Sequence, residues 1–295
     1  MVKTYGVRIM DDTKEYEKMM YDSYDDSLRA DIQKFLAGNN KYKTLIHELK
    51  SIERLINDFG FLSDGRNYLK FNNHLLSLQK ILLSIELTIG SVIACCDVGC
   101  IADANTLARK FRDDLFFYMY ILVYDTKSMH KEIKEAESNI ESWAQNKLKN
   151  LNIGEVLKTI GGSTILSGVI KKYNLKDYFN KISNRLNDFV HSNGQIFYND
   201  NTALVDTNKY LEKIKQLVED LKYMVITFFI LLSICSPHLI MSSDYVDFLE
   251  VGETPSDGSQ YLIAPFIEQF IKNNYSLIDK NCLKYLQDNT CMKFD

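Results

Sequence analysis

The sequence predicts an all-α protein, and three observations carry that expectation. Proline is scarce: 3 in 295 residues, against about 15 at average usage, and Pro237, Pro255 and Pro265 all lie in the last fifth of the chain. Glycine is scarce too, at 13 against about 20 on average. Apolar residues recur at helical spacing through most of the remainder. A stretch from 1 to 236 without proline argues against the turn-rich sandwiches and barrels, and for long helices.

Each element follows from its own pattern. Residues 13 to 59 are polar with helical apolar spacing (Leu45, Leu49, Ile52, Ile56, Phe59), interrupted at Gly38-Asn39-Asn40. A loop runs from Gly60 to Gly65. A long apolar helix is expected from about Tyr68 to Cys96, with Leu75, Leu78, Leu82, Ile85, Ile89 and Val92 on one stripe. Asp103 is the expected N-cap of a helix over 104–124. A charged helix holding Trp143 covers about 127–150, and Gly154 and Gly161-Gly162 punctuate a short helical insert. The next helix, about 176–192, stops at Gly194. Residues 195 to 205 read as a loop, Asp206 or Thr207 caps a helix running to about Cys235, and Pro237 ends it. Short helices over 260–272 and 275–286 complete the chain. The expected divisions are an N-terminal helical segment (1–69), a helical bundle (70–236) and a C-terminal helical extension (237–295).

Composition narrows the function. Hydrophobic residues at 46% and charged residues at 25% fit a folded chain, and 35 basic against 39 acidic residues give a net charge of −4. Nucleic-acid binding by bulk positive charge is excluded, while a local basic site is not. The six cysteines follow no secreted disulfide pattern and Met1–Asp12 lacks the apolar core of a signal peptide, which points to a reduced cytoplasmic compartment. Tyr223 to Met241 is free of Asp, Glu, Lys and Arg over 19 residues. It continues an amphipathic helical period, so it reads as a buried bundle helix rather than a membrane span.

Chemistry by motif is sparse. The chain has no phosphate-binding glycine loop, no His-Glu-x-x-His, no paired Cys-x-x-Cys and no Gly-x-Ser-x-Gly, so no metal or cofactor is called for. Cys96 and Cys100 share a helix face but have no second ligand pair, and read as buried small residues. Of the five histidines only His191 has a legible neighbourhood. On a helical wheel Tyr178, Phe179, Ile182, Leu186, Phe189 and Val190 fall on one side; Asn180, Asn184, Asn187 and His191 fall on the other, with Asp188 beside them and Arg185 at the border. The stripe reads either as a solvated face or as a site. The helix over 104–124 carries Arg109, Lys110, Arg112, Asp113 and Asp114 amid apolar residues, either as an ion-pair network or as the lining of a polar cleft.

The segment Arg185-Leu186-Asn187-Asp188-Phe189-Val190-His191 resembles the Arg-x(4–6)-His signature of HEPN-like helical bundles. The order around it is similar as well, over about residues 70 to 236: a long apolar helix, a helix with an arginine-and-acid centre, the motif helix, and a long closing helix. That resemblance implies a four-helix up-down bundle and a metal-independent ribonuclease of the toxin–antitoxin or abortive-infection type, acting as a homodimer. An antitoxin or other protein partner would accompany it. His191 would act as general acid or base, Arg185 would hold the phosphate, and Asn187 or Asp188 would orient the imidazole or ribose. Arg109, Arg112, Asp113 and Asn184 are the candidate substrate contacts. The family often places Asn, Asp or His directly after the arginine, whereas this chain has Leu186 there. The alternative is a non-catalytic bundle of the same fold that binds a nucleotide, RNA or protein.

Overall fold

A computed structural model describes residues 33–71, 74–126, 133–145, 147, 152–190, 200 and 207–294. Helices dominate them, as the proline and glycine counts lead one to expect. Helical residues 33–38 lead to a break at Asn39, whose side-chain oxygen accepts from the Tyr42 amide at 2.9 Å and so caps α1 (Asn40–Ser63). Leu49, Ile52, Ile56 and Phe59 recur along α1 at helical spacing and are all buried, so this face is committed to the core.

The expected helix over 68–96 is corrected at its start. Tyr68–Phe71 (β1) and His74–Ser77 (β2) form an antiparallel hairpin with Phe71 opposite His74, and α2 begins only at Gln79 (Gln79–Asp97). Alternation explains it: Leu69 is buried while Tyr68 and Lys70 are exposed. The next helix, α3 (Ile101–Asp125), begins earlier than expected. Cys100 occupies the cap position and Asp103 falls in the first turn, where its charge faces the positive end of the helix dipole rather than capping it.

The charged helix is α4 (Ile133–Ala144), which ends earlier than the expected 150; residues 127–132 lie outside the described residues. The insert is two helices, α5 (Ile153–Gly161) and α6 (Ser167–Lys172). The motif helix is α7 (Leu175–Val190) and the closing helix is α8 (Thr207–Cys235). His191, Gly194 and Asp206 lie outside the described residues. Pro237 starts a 3₁₀ turn, after which come α9 (Asp244–Glu250), α10 (Pro265–Asn274) and α11 (Cys282–Asn289). Both of the last two lie further along than expected; α10 starts at Pro265, which sits in its first turn where the missing N–H costs nothing.

One continuous core joins these elements, and residues of the expected N- and C-terminal extensions share it with the bundle: Leu49 and Ile56 of α1, Ile267 of α10 and Leu286 of α11. Its centre is a knot of aromatic rings. Phe59, Tyr118, Phe228 and Phe229 pack edge-to-face at centroid separations of 5.3 to 6.3 Å. Every residue from Tyr223 to Ser233 is buried, in keeping with a bundle helix. The described helix long and apolar enough to cross a membrane, by length and composition alone, is instead α2, and it leaves Leu83 and Leu87 exposed.

The knot contains one polar link: the Tyr118 hydroxyl donates to the buried Asn67 side chain at 2.8 Å. Tyr118→Phe keeps the ring and strips the donor from a buried acceptor. It is expected to lower stability by about 1–2 kcal/mol, read from urea unfolding.

Candidate functional site

The bundle's register follows from a few contacts. Phe228 of α8 packs on Tyr118 of α3, Cys235 lies by Thr126, and the Tyr210 hydroxyl donates to the Cys96 carbonyl just before α3 begins. Thus α8 runs parallel to α3, and Asp220 lies level with the charged stretch Arg109–Asp113. Phe179 of α7 packs on Phe116 of α3 at 4.4 Å, and Arg185 reaches Asp220, so α7 runs the opposite way and brings its motif to the same level. The two charged segments of the sequence lie at one height of the bundle.

Within that band the arginines form ion pairs in two sets, one on α3 and one between α7 and α8. Arg185 donates through Nη2 to Asp220, whose side chain is 1% exposed while that of Arg185 is 37% exposed. Gln216 also donates to Asp220 at 3.0 Å. Burial pushes the Asp220 carboxyl above the usual carboxylate range, outweighing the opposite pull of Arg185 and Gln216. On α3, Arg112 places Nε and Nη2 at 2.8 and 2.5 Å from one carboxylate oxygen of Asp113, and Arg109 lies 3.8 Å from the other. Burial lowers the Arg112 pKa and raises that of Asp113, in each case against the attraction between them. Among the described residues the two sets share no hydrogen bond.

The side chain of Arg112 is fully buried. That removes it from the candidate substrate contacts, since a group without exposure touches no phosphate; it braces Asp113 instead. Arg109 and Asp113 keep partial exposure and remain able to meet a ligand. On α7, Phe179, Ile182, Leu186 and Phe189 are buried, as the wheel places them. Asn180, Asn184 and Asp188 are exposed, and Asn187 is half-buried. His191, the residue on which a catalytic reading turns, lies outside the described residues. Comparison with known families, characterised proteins and solved structures yields no match to this chain.

The band is polar yet poorly satisfied. Among the described residues seven buried side-chain N or O atoms have no hydrogen-bond partner, and five of them belong here: Arg109 Nε, Arg112 Nη1, Ser183 Oγ, Arg185 Nε and Asn187 Oδ1. A structural ion-pair network satisfies its members, because an orphaned buried polar atom costs on the order of 1–3 kcal/mol. Chemically, the partly exposed guanidinium groups of Arg109 and Arg185 suit an anion or a phosphate backbone. The sequence pattern missed Asp220. Its one local signal is an acid between Leu217 and Leu221 on an otherwise apolar stripe.

Proposed function

We propose that this chain is a metal-independent RNA endonuclease of the HEPN-like, phage-defence or toxin type, with its site on the C-terminal half of α7. The observation that supports this reading best is the cluster of unsatisfied donors and acceptors around Arg185 and Asn187, at the level of Arg109 and Asp113. RNA carries its own nucleophile in the 2′-OH, so such an enzyme needs a proton-transfer group and a cation for the charge that builds on phosphorus. His191 supplies the first, since imidazole titrates near neutrality. Arg185 supplies the second through the donors Asp220 leaves unused, Asn187 and Asp188 orient the imidazole or ribose, and Arg109, Asp113 and Asn184 flank the substrate.

One histidine per motif leaves the acid or the base missing. A two-fold dimer that faces the motifs across its axis supplies both. The mass by light scattering at micromolar concentration is expected to be that of a dimer, and a strict monomer contradicts the composite site. For activity, purified protein incubated with total RNA in EDTA is expected to cut RNA and to leave DNA of the same sequence intact. Intact RNA under those conditions rejects the proposal.

A second reading, a non-catalytic bundle that binds a nucleotide, RNA or protein, is favoured by the Arg185–Asp220 pair, which gives the arginine a structural task. It predicts retention of RNA without cleavage.

A further inference from the structure

A second feature lies further along the same helices. Between α3, α5, α7 and α8 is a cavity of about 310 Å³, at the small end of the range that holds small molecules. Phe116, Leu157, Phe179 and Leu231 form apolar walls. Thr227 lines it from α8 and is 2% exposed, and its hydroxyl is one of the buried polar atoms without a hydrogen-bond partner. The exposed lining residues Lys158 and Lys176 put two cations at the rim; Glu155, 3.7 Å from Lys158, is itself largely exposed and screens it weakly. Thr227 lies two turns beyond Asp220 on α8, about 10 Å along the axis, so the cavity is separate from the charged band and independent of the proposed nuclease site.

A helix packed against this space needs no hydroxyl there. Valine fills the same volume without an unmade hydrogen bond. An apolar cavity with one unspent hydroxyl in its wall and positive charge outside matches a ligand of a definite kind: apolar in its body, with an oxygen function at its inner end and an anion at its outer end. We propose that this cavity binds a small apolar carboxylate whose far end carries a hydroxyl or carbonyl oxygen. The carboxylate stays in water beside Lys158 and Lys176, which avoids the cost of burying a charge. The inner oxygen bonds the Thr227 hydroxyl.

The test is calorimetric titration of the full chain with ω-hydroxy acids of about six to ten carbons, the size range the cavity sets, beside the plain acids and the amines of equal length. At least one hydroxy acid is expected to bind, and the amines to bind at least tenfold more weakly. Thr227→Val is expected to leave the melting temperature unchanged or higher. It should cut the preference for the hydroxy acid over its plain acid about tenfold, since the ligand hydroxyl is then buried without a partner. Leu157→Trp fills the cavity and is expected to abolish binding; Gly161→Leu, with nothing within 4 Å of its added carbon, is the substitute if the tryptophan variant misfolds. No binding by wild type, equal binding of acids and amines, or binding indifferent to both Thr227→Val and Leu157→Trp overturns the proposal.

Discussion

His191→Ala is expected to slow RNA cleavage by about 10²–10⁴-fold while leaving the melting temperature within a degree or two of wild type. The rate loss is the ordinary worth of a positioned proton-transfer group. On the helical wheel His191 falls with Asn180, Asn184 and Asn187, opposite the stripe that supplies the buried Phe179, Ile182 and Leu186. Its truncation should therefore open no cavity in the core. Single-turnover cleavage and a thermal melt on the same preparation check both halves. Equal rates for variant and wild type remove the catalytic role. A strongly lowered melt assigns the histidine to packing instead.

Arg185→Ala is expected to behave differently, and to cost stability as well as activity. Its partner Asp220 is almost fully buried and keeps only Gln216 as a donor once the arginine is gone. Stranding one member of a buried pair costs about 3–5 kcal/mol. Arg185 is itself more than a third exposed, which lowers the expectation to about 2–3 kcal/mol. Adding Asp220→Asn should recover most of it, because the stranded group then carries no charge; urea unfolding of the single and double variants reads the coupling. The pH response has a definite sign. The Asp220 carboxyl is raised above its unfolded value, so the folded state holds its proton more tightly. The site therefore stabilises the fold most at pH below the ordinary carboxylate range, and that contribution is lost as the pH climbs through the raised value. Asp220→Asn should flatten that part of the stability curve. A loss below about 1 kcal/mol in Arg185→Ala shows that the pair is not structural.

These two variants divide the labour between the motif residues. Arg185 anchors α7 to α8 through one nitrogen while the side chain keeps partial exposure, so its loss is expected to disturb fold and chemistry together. Arg185→Lys keeps the charge and the pair with Asp220 but forfeits the fork that grips a phosphate with two nitrogens. It is the better probe of the cation's part in the reaction.

The helices were legible in the sequence where one face is committed to the core. Leu49, Ile52, Ile56 and Phe59 announce α1, and Phe179, Ile182 and Leu186 announce α7, because burial imposes the 3.6-residue period. The hairpin at 68–77 escaped that reading. Leu75 and Leu78 fall on the helical stripe of Leu82 and Ile85 by coincidence of spacing, while the Asn72-Asn73 pair between two alternating runs was the turn signal to weigh against it. The site was legible one helix at a time. Arg109, Asp113 and Arg185 stand out as charges at apolar borders, but pairing across helices depends on register, which no local period encodes. So Asp220 went unseen, and Arg112 passed for a cleft residue although it is entirely enclosed.

In the proposed reaction the substrate's own 2′-OH attacks the phosphate under His191 and Arg185, without a metal. The most direct measurement maps a cut site in a short RNA, then compares that RNA with one bearing a single 2′-deoxy residue on the 5′ side of the cut, both in EDTA. Cleavage of the all-ribo strand to a 2′,3′-cyclic phosphate end, and none at the deoxy position, is the expected result. Cutting at the deoxy position, or products that begin with a 5′-phosphate, would contradict it.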